Sequence, residues 1–141
     1  MLVKDVMKRE IAYVSPEDNV EFAAKIMDKN NYGALLVKER NRFTGIITER
    51  DVLRKVVARG VPPLQTKVAN VMSSPVITID GDADLAEASL LMDRRRIRRL
   101  AVTINGEISG IVTVRDVLKN LRHISASNLL AREYHREELF Q

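Results

Sequence analysis

A nine-residue stretch that occurs twice constrains this chain more than anything else in it. Gly45-Ile46-Ile47-Thr48-Glu49-Arg50-Asp51-Val52-Leu53 returns as Gly110-Ile111-Val112-Thr113-Val114-Arg115-Asp116-Val117-Leu118, an offset of 65 residues. The match continues without a gap on the N-terminal side. Val3 recurs as Val68, Val6-Met7 as Val71-Met72, Ala23 as Ala88, Met27-Asp28 as Met92-Asp93, and Leu35 and Val37 as Leu100 and Val102. Self-similarity at a fixed period means one supersecondary unit made twice. Each copy of the motif leads from a glycine through a β-branched pair that favours a buried strand to a Thr at the strand end and an Asp opening a helix. An Asp in that place caps a helix and complements its dipole. One such motif reads as an N-cap. Two in the same register, each bringing a hydroxyl and a carboxylate out of one turn, shift the reading towards binding.

The order within a unit follows from periodicity. Ile11-Ala12-Tyr13-Val14 and Val76-Ile77-Thr78-Ile79 are β-rich runs, followed by turn and cap chemistry at Ser15-Pro16-Glu17-Asp18 and Asp80-Gly81-Asp82-Ala83-Asp84. Val20, Ala23, Ala24 and Met27, and in the second unit Leu85, Ala88 and Met92, fall at helical spacing with one apolar face. A strand at Ala34 to Lys38 or Leu100 to Ile104 then turns at Arg40-Asn41-Arg42 or Asn105-Gly106 into the Gly-led strand, making a hairpin. Closing helices run from about Arg50 to Arg59 and Arg115 to Arg122; Gly60 ends the first, and Pro62-Pro63 prevents its continuation. The predicted fold class is α+β, two β-α-β-β-α repeats packed as a pseudo-twofold pair. Repeat 1 takes residues 1–59, a linker 60–67, repeat 2 68–122, and a helical tail 123–141 whose Leu129, Leu130, Tyr134, Leu139 and Phe140 need covering.

Composition excludes several chemistries. With 45% apolar residues in 141 the chain can bury a core, so global disorder is excluded. The absence of cysteine removes disulfides and thiolate sites, and His123 and His135 form no cluster with metal-ligand spacing. Neither a signal peptide nor a long apolar run is present, so the expectation is a soluble cytoplasmic protein with no membrane partner. A net charge of +4 and a pI near 9.6 suit an anionic partner.

The duplicated unit, each copy ending in Gly-apolar-apolar-Thr-x-x-Asp before its last helix, resembles a tandem cystathionine β-synthase (CBS) domain pair, or Bateman module, over residues 1 to about 122. That resemblance implies a regulatory module without catalytic activity or prosthetic group. It implies binding of an adenosyl ligand (AMP, ADP or ATP; in some members S-adenosylmethionine or NAD) between the repeats, signalling to an effector protein, and homodimers. By position it implies that Asp51 and Asp116 bond ribose hydroxyls while Thr48 and Thr113 contact ribose or phosphate. A carboxylate is a strong acceptor for two adjacent hydroxyls, and a helix start beside it supplies donors for phosphate. Arg98 and Arg99, at the strand entry, take the family's phosphate-holding position, where a planar fork engages phosphate oxygens. Their counterparts Gly33 and Ala34 carry no charge, so the two clefts are not equivalent. The adenine position maps to Ile11 and Ala12, and to Val76 and Ile77.

Two other readings compete. The run Arg94-Arg95-Arg96-Ile97-Arg98-Arg99 suits a nucleic-acid-associated regulator, although Phe22, Phe43, Phe140 and three tyrosines make no stacking platform. A scaffold with vestigial clefts, acting only by association, is the other. No P-loop, dinucleotide fingerprint or nucleophile motif is present, so no enzyme is expected.

Overall fold

Residues 65 apart fold alike in the computed structural model, which describes residues 1–121. A short helix α1 (Val3–Val6) precedes β1 (Tyr13–Val14), α2 (Val20–Asn30), β2 (Ala34–Glu39), β3 (Arg42–Thr48) and α3 (Glu49–Val52). The second repeat supplies β4 (Thr78–Asp80), α4 (Leu85–Arg95), β5 (Arg99–Ile104), β6 (Glu107–Thr113) and α5 (Val114–Lys119). This is the α+β class that the repeat implied. The closing helix of repeat 2 beyond Leu121 and the whole tail, with His123 and His135, lie outside the described residues.

Local chemistry sets the element ends. Asn19 and Asp84 cap α2 and α4, accepting from the amides of Phe22 (2.8 Å) and Ala86 (2.9 Å), and thereby satisfy orphan donors of the first turn. Both helices stop in the left-handed conformation, at Asn31 (φ 57°) and Arg96 (φ 53°). The hairpin turns need positive φ at two successive residues, met by Arg40 and Asn41 in one repeat and by Asn105 and Gly106 in the other.

Each repeat builds a three-stranded sheet, β1-β2-β3 or β4-β5-β6, parallel in its first pair and antiparallel in its second. One face of the first sheet presents Leu35, Val37 and Ile47 to Val20, Ala23 and Met27 of α2. Leu100, Val102 and Val112 meet Leu85, Ala88 and Met92 of α4 in the same way. Fully burying one such leucine contributes roughly 1.5–3 kcal/mol.

Two expectations need correction. The first strands are shorter than the β-rich runs, because parallel pairing holds only Tyr13–Val14 and Thr78–Asp80, leaving Ile11, Ala12, Val76 and Ile77 just ahead of them. Gly45 and Gly110 do not lead their strands either but sit within seven-residue ones, each next to an irregularity in pairing whose extra residue, Thr44 or Ser109, is on the same strand. A close approach of backbone explains the glycines. A Cβ on Gly45 would stand 2.8 Å from both Met72 Sδ and the Ser73 carbonyl, and one on Gly110 would stand 2.6 Å from Met7 Sδ and 2.8 Å from the Lys8 carbonyl. Ser73 and Ile46 exchange backbone hydrogen bonds of 3.0 and 2.9 Å, as Lys8 and Ile111 do at 2.8 and 2.9 Å.

The compact units therefore interleave the sequence repeats. Among the described residues one comprises Ile11–Val76, and the other Met1–Glu10 with residues 77–121. Each third strand is flanked by the leading segment of the other repeat, and a lysine fastens that arrangement in both. Lys67 Nζ reaches Glu17 and Lys4 Nζ reaches Asp82, each at 2.7 Å, and hydrogen bonding to the carboxylate holds each ammonium's pKa above its ordinary value. The segment 60–67, expected as a linker, is packed too. Gly60 takes φ 66°, Pro63–Gln65 form a 3₁₀ turn, and the Thr66 carbonyl accepts from the Val20 amide at 2.9 Å.

Gly45→Ala and Gly110→Ala are each expected to cost about 1–3 kcal/mol, because a carbonyl in a docked segment cannot swing aside as a side chain can. Calorimetry should register the loss as a drop in Tm of roughly 2–8 °C per kcal/mol. An unchanged Tm in both variants would mean that these segments do not seat against the glycines.

Candidate functional site

Strand directions bring the expected residues of each repeat to one end of its sheet: the starts of the first two strands and the end of the third. There Ala34 pairs with Thr48, and Arg99 with Thr113. The Gly33 carbonyl accepts from the Glu49 amide (3.1 Å) and the Arg98 carbonyl from the Val114 amide (2.9 Å). The Ala12 and Ile77 carbonyls accept from Leu36 and Ala101 at 3.1 Å, which ties the run before each first strand to its neighbour. Val76 belongs to the same compact unit as Ile11, and Ile77 to that of Thr113.

The helix-capping roles of Thr and Asp differ from the one expected of Asp. Thr48 and Thr113, not the aspartates, are the N-caps, and each Asp sits at the third helical position in a reciprocal capping box. Asp51 Oδ2 accepts from the Thr48 amide (3.0 Å) and hydroxyl (3.1 Å), while the Asp51 amide donates back to Thr48 Oγ1 (3.1 Å). In the second unit the same three bonds measure 2.8, 3.0 and 3.2 Å between Thr113 and Asp116. Of the first three helical amides, two are thus already bonded, leaving that of Arg50 or Arg115. The expected cradle of helix donors for a phosphate is correspondingly small, so a phosphate here depends on side-chain cations.

The two carboxylates then part ways. Asp51 Oδ1 pairs with Lys55 Nζ at 3.1 Å, and the same ammonium donates to the Val71 carbonyl at 2.8 Å. In the second repeat Lys55 is replaced by Asn120, whose side-chain amide bonds the backbone carbonyl of Asp116 (2.8 Å) and not its carboxylate. Asp116 is 6% exposed, the one buried charged or polar residue among those described, and none of the described residues bonds its Oδ1. Among the described residues no fully buried side-chain oxygen or nitrogen lacks a partner, so Oδ1 is reached by solvent and can accept from a hydroxyl donor.

Residues 3–58 and 68–123 each match the family model of the CBS domain. The chain belongs to the CBS-domain family. It is 36% identical over 118 residues to the CBS domain-containing protein YhcV of Bacillus subtilis, covering 84% of each chain. It is also 40% identical over 119 residues to an uncharacterised protein of Methanopyrus kandleri, where the match spans 83% of this chain and 61% of that relative's length. Among solved structures it is similar to a CBS-domain containing protein from Agrobacterium tumefaciens (28% identity, TM-score 0.79, 84% and 98% of the two chains). A hexameric CBS-CP12 protein from bloom-forming cyanobacteria is similar at 27% identity and TM-score 0.78, with 84% and 66% covered. A CBS pair is typically a regulatory module.

Around the second CBS motif the arginines divide by position. Arg94 and Arg95 close α4 and Arg96 takes its left-handed end, all exposed, where they complement the helix C-terminus. Arg98 is exposed just ahead of β5. Arg99, half-buried and with a partner within the chain, lies opposite Thr113, so both side chains share the sheet face turned away from Leu100 and Val102. The first CBS motif offers only Gly33 and Ala34 at these places. Sequence reasoning missed Lys55 and Asn120, although the four-residue spacing from Asp51 and Asp116 on one helix face was a readable signal. Among the described residues no group of His, Asp or Glu is placed to hold a metal ion, and no helix is long and apolar enough to cross a membrane.

Proposed function

We propose that the chain is a regulatory module that binds an adenine nucleotide at the second motif and reports its presence to an effector protein. The observation that carries this reading is the buried Asp116, whose Oδ1 no described residue bonds and which suits a ribose diol, with cationic Arg98 and Arg99 at the adjoining strand entry. Thr113 orients that carboxylate, and the backbone run at Ile77 offers a flat edge for the base. AMP, ADP and ATP are the favoured ligands, with S-adenosylmethionine and NAD as the other adenosyl candidates. Calorimetric titration of all five tests the proposal: saturable binding of at least one phosphorylated ligand is expected, and binding of none would refute it.

Self-association belongs to the same reading. Leu53 and Val57 after α3 are 59 and 65% exposed, and Leu118 in α5 and Leu121 after it are 60 and 50% exposed, so each closing segment carries apolar side chains that a second copy would cover. Sedimentation should show a homodimer at tens of micromolar, since an obligate-sized interface persists there. A clean monomer would remove the homodimer from this account.

A further inference from the structure

We infer that Lys55 keeps the first motif closed to nucleotide, so that the chain takes one ligand molecule and not two. This rests on the proposed role of Asp116, since it treats Asp51 as the same anchor in a different state. Both oxygens of Asp51 are committed: Oδ2 to the Thr48 amide and hydroxyl, Oδ1 to the Lys55 ammonium. A ribose diol reaching Oδ1 would have to displace an ammonium held at a second point by the Val71 carbonyl, leaving that carbonyl unpaired. Val71 is buried and directly precedes the Met72-Ser73 segment docked at Gly45, so Lys55 ties the closed carboxylate to a packed part of the unit.

Two further differences from the second motif agree. Gly33 and Ala34 stand where Arg98 and Arg99 stand, so a displaced ligand phosphate would find no cation at the strand entry. The backbone also departs here, for Leu53–Val57 winds as a π-helix around Lys55, whereas α5 stays regular to Lys119 and hands its C-cap to Asn120. Asn120 turns its amide to a backbone carbonyl, and no described residue bonds Asp116 Oδ1.

Titration of the full chain with AMP, followed by calorimetry, tests this. The wild type should bind a single AMP. Lys55→Asn, which copies the second motif, and Lys55→Met, which keeps the packing of the stem, should each add a second, weaker site that Asp51→Ala abolishes. The reciprocal Asn120→Lys should lower AMP affinity at least about tenfold by supplying Asp116 with an ammonium. Two wild-type sites, or a lone site unchanged in both Lys55 variants, would overturn the inference. So would weakened binding in the Lys55 variants, which would make Lys55 a ligand contact. If the wild type takes up no AMP, the Asp116 reading fails separately, and the closure stands only if the Lys55 variants gain a site.

Discussion

Replacing Arg98 and Arg99 together by alanine is expected to cost AMP at least about tenfold in affinity while adenosine loses little. Charge-assisted contacts to phosphate contribute roughly 1.5–3 kcal/mol each where water is partly excluded, and about 1.4 kcal/mol is tenfold. The scarcity of free helix amides at Val114 and Asp116 strengthens this expectation, because it leaves the guanidinium groups as the principal partners for phosphate. Arg94→Ala with Arg95→Ala, at the exposed end of α4, should change little beyond a steering effect that salt removes. The same pair of double variants decides against or for a nucleic-acid partner, for which all five arginines would contribute alike to oligonucleotide binding. Equal losses for adenosine and AMP would show that Arg98 and Arg99 shape the site without touching phosphate.

Asp116→Ala carries the second large effect, and here binding and stability should move unequally. Loss of charged hydrogen bonds to ribose should weaken binding by about 1.5–3 kcal/mol, roughly ten- to a hundredfold. The fold loses one half of a capping box, about 0.5–2 kcal/mol. Affinity by calorimetry and Tm on the same preparation separate the two. Unchanged affinity with a lowered Tm would make Asp116 a helix-capping residue and nothing more.

The 65-residue offset made the element order readable, since a strand, helix and hairpin inferred in one repeat had to reappear in the other. The Asn105-Gly106 turn was equally plain, because few residues other than Asn and Gly accept positive φ twice in succession. The Thr-x-x-Asp motif was harder. Thr and Asp are both good N-caps, and the outcome depended on which residue leaves the strand still extended; that is Thr48 (φ −117°, ψ 162°) and Thr113. The interleaving of the repeats had no local signal at all. Gly45 lies 27 positions from Met72 and Gly110 lies 103 from Met7, so only the packed structure shows why each must lack a side chain. The asymmetry of the motifs was half visible: Gly33 and Ala34 against Arg98 and Arg99 could be read by alignment of the repeats. The capture of Asp51 by Lys55 depended on how a flexible lysine is held by Val71.

The account's central claim is that nucleotide binds at the Thr113 and Asp116 end of the second sheet. Backbone amide spectra of the full chain, recorded as AMP is titrated, test it most directly. Saturable shifts should cluster at Ile77, Arg98, Arg99, Thr113, Val114 and Asp116, with their counterparts Ala12, Gly33, Ala34, Thr48 and Asp51 unmoved. No saturable shift, or shifts confined to the exposed end of α4 and abolished by salt, would contradict it.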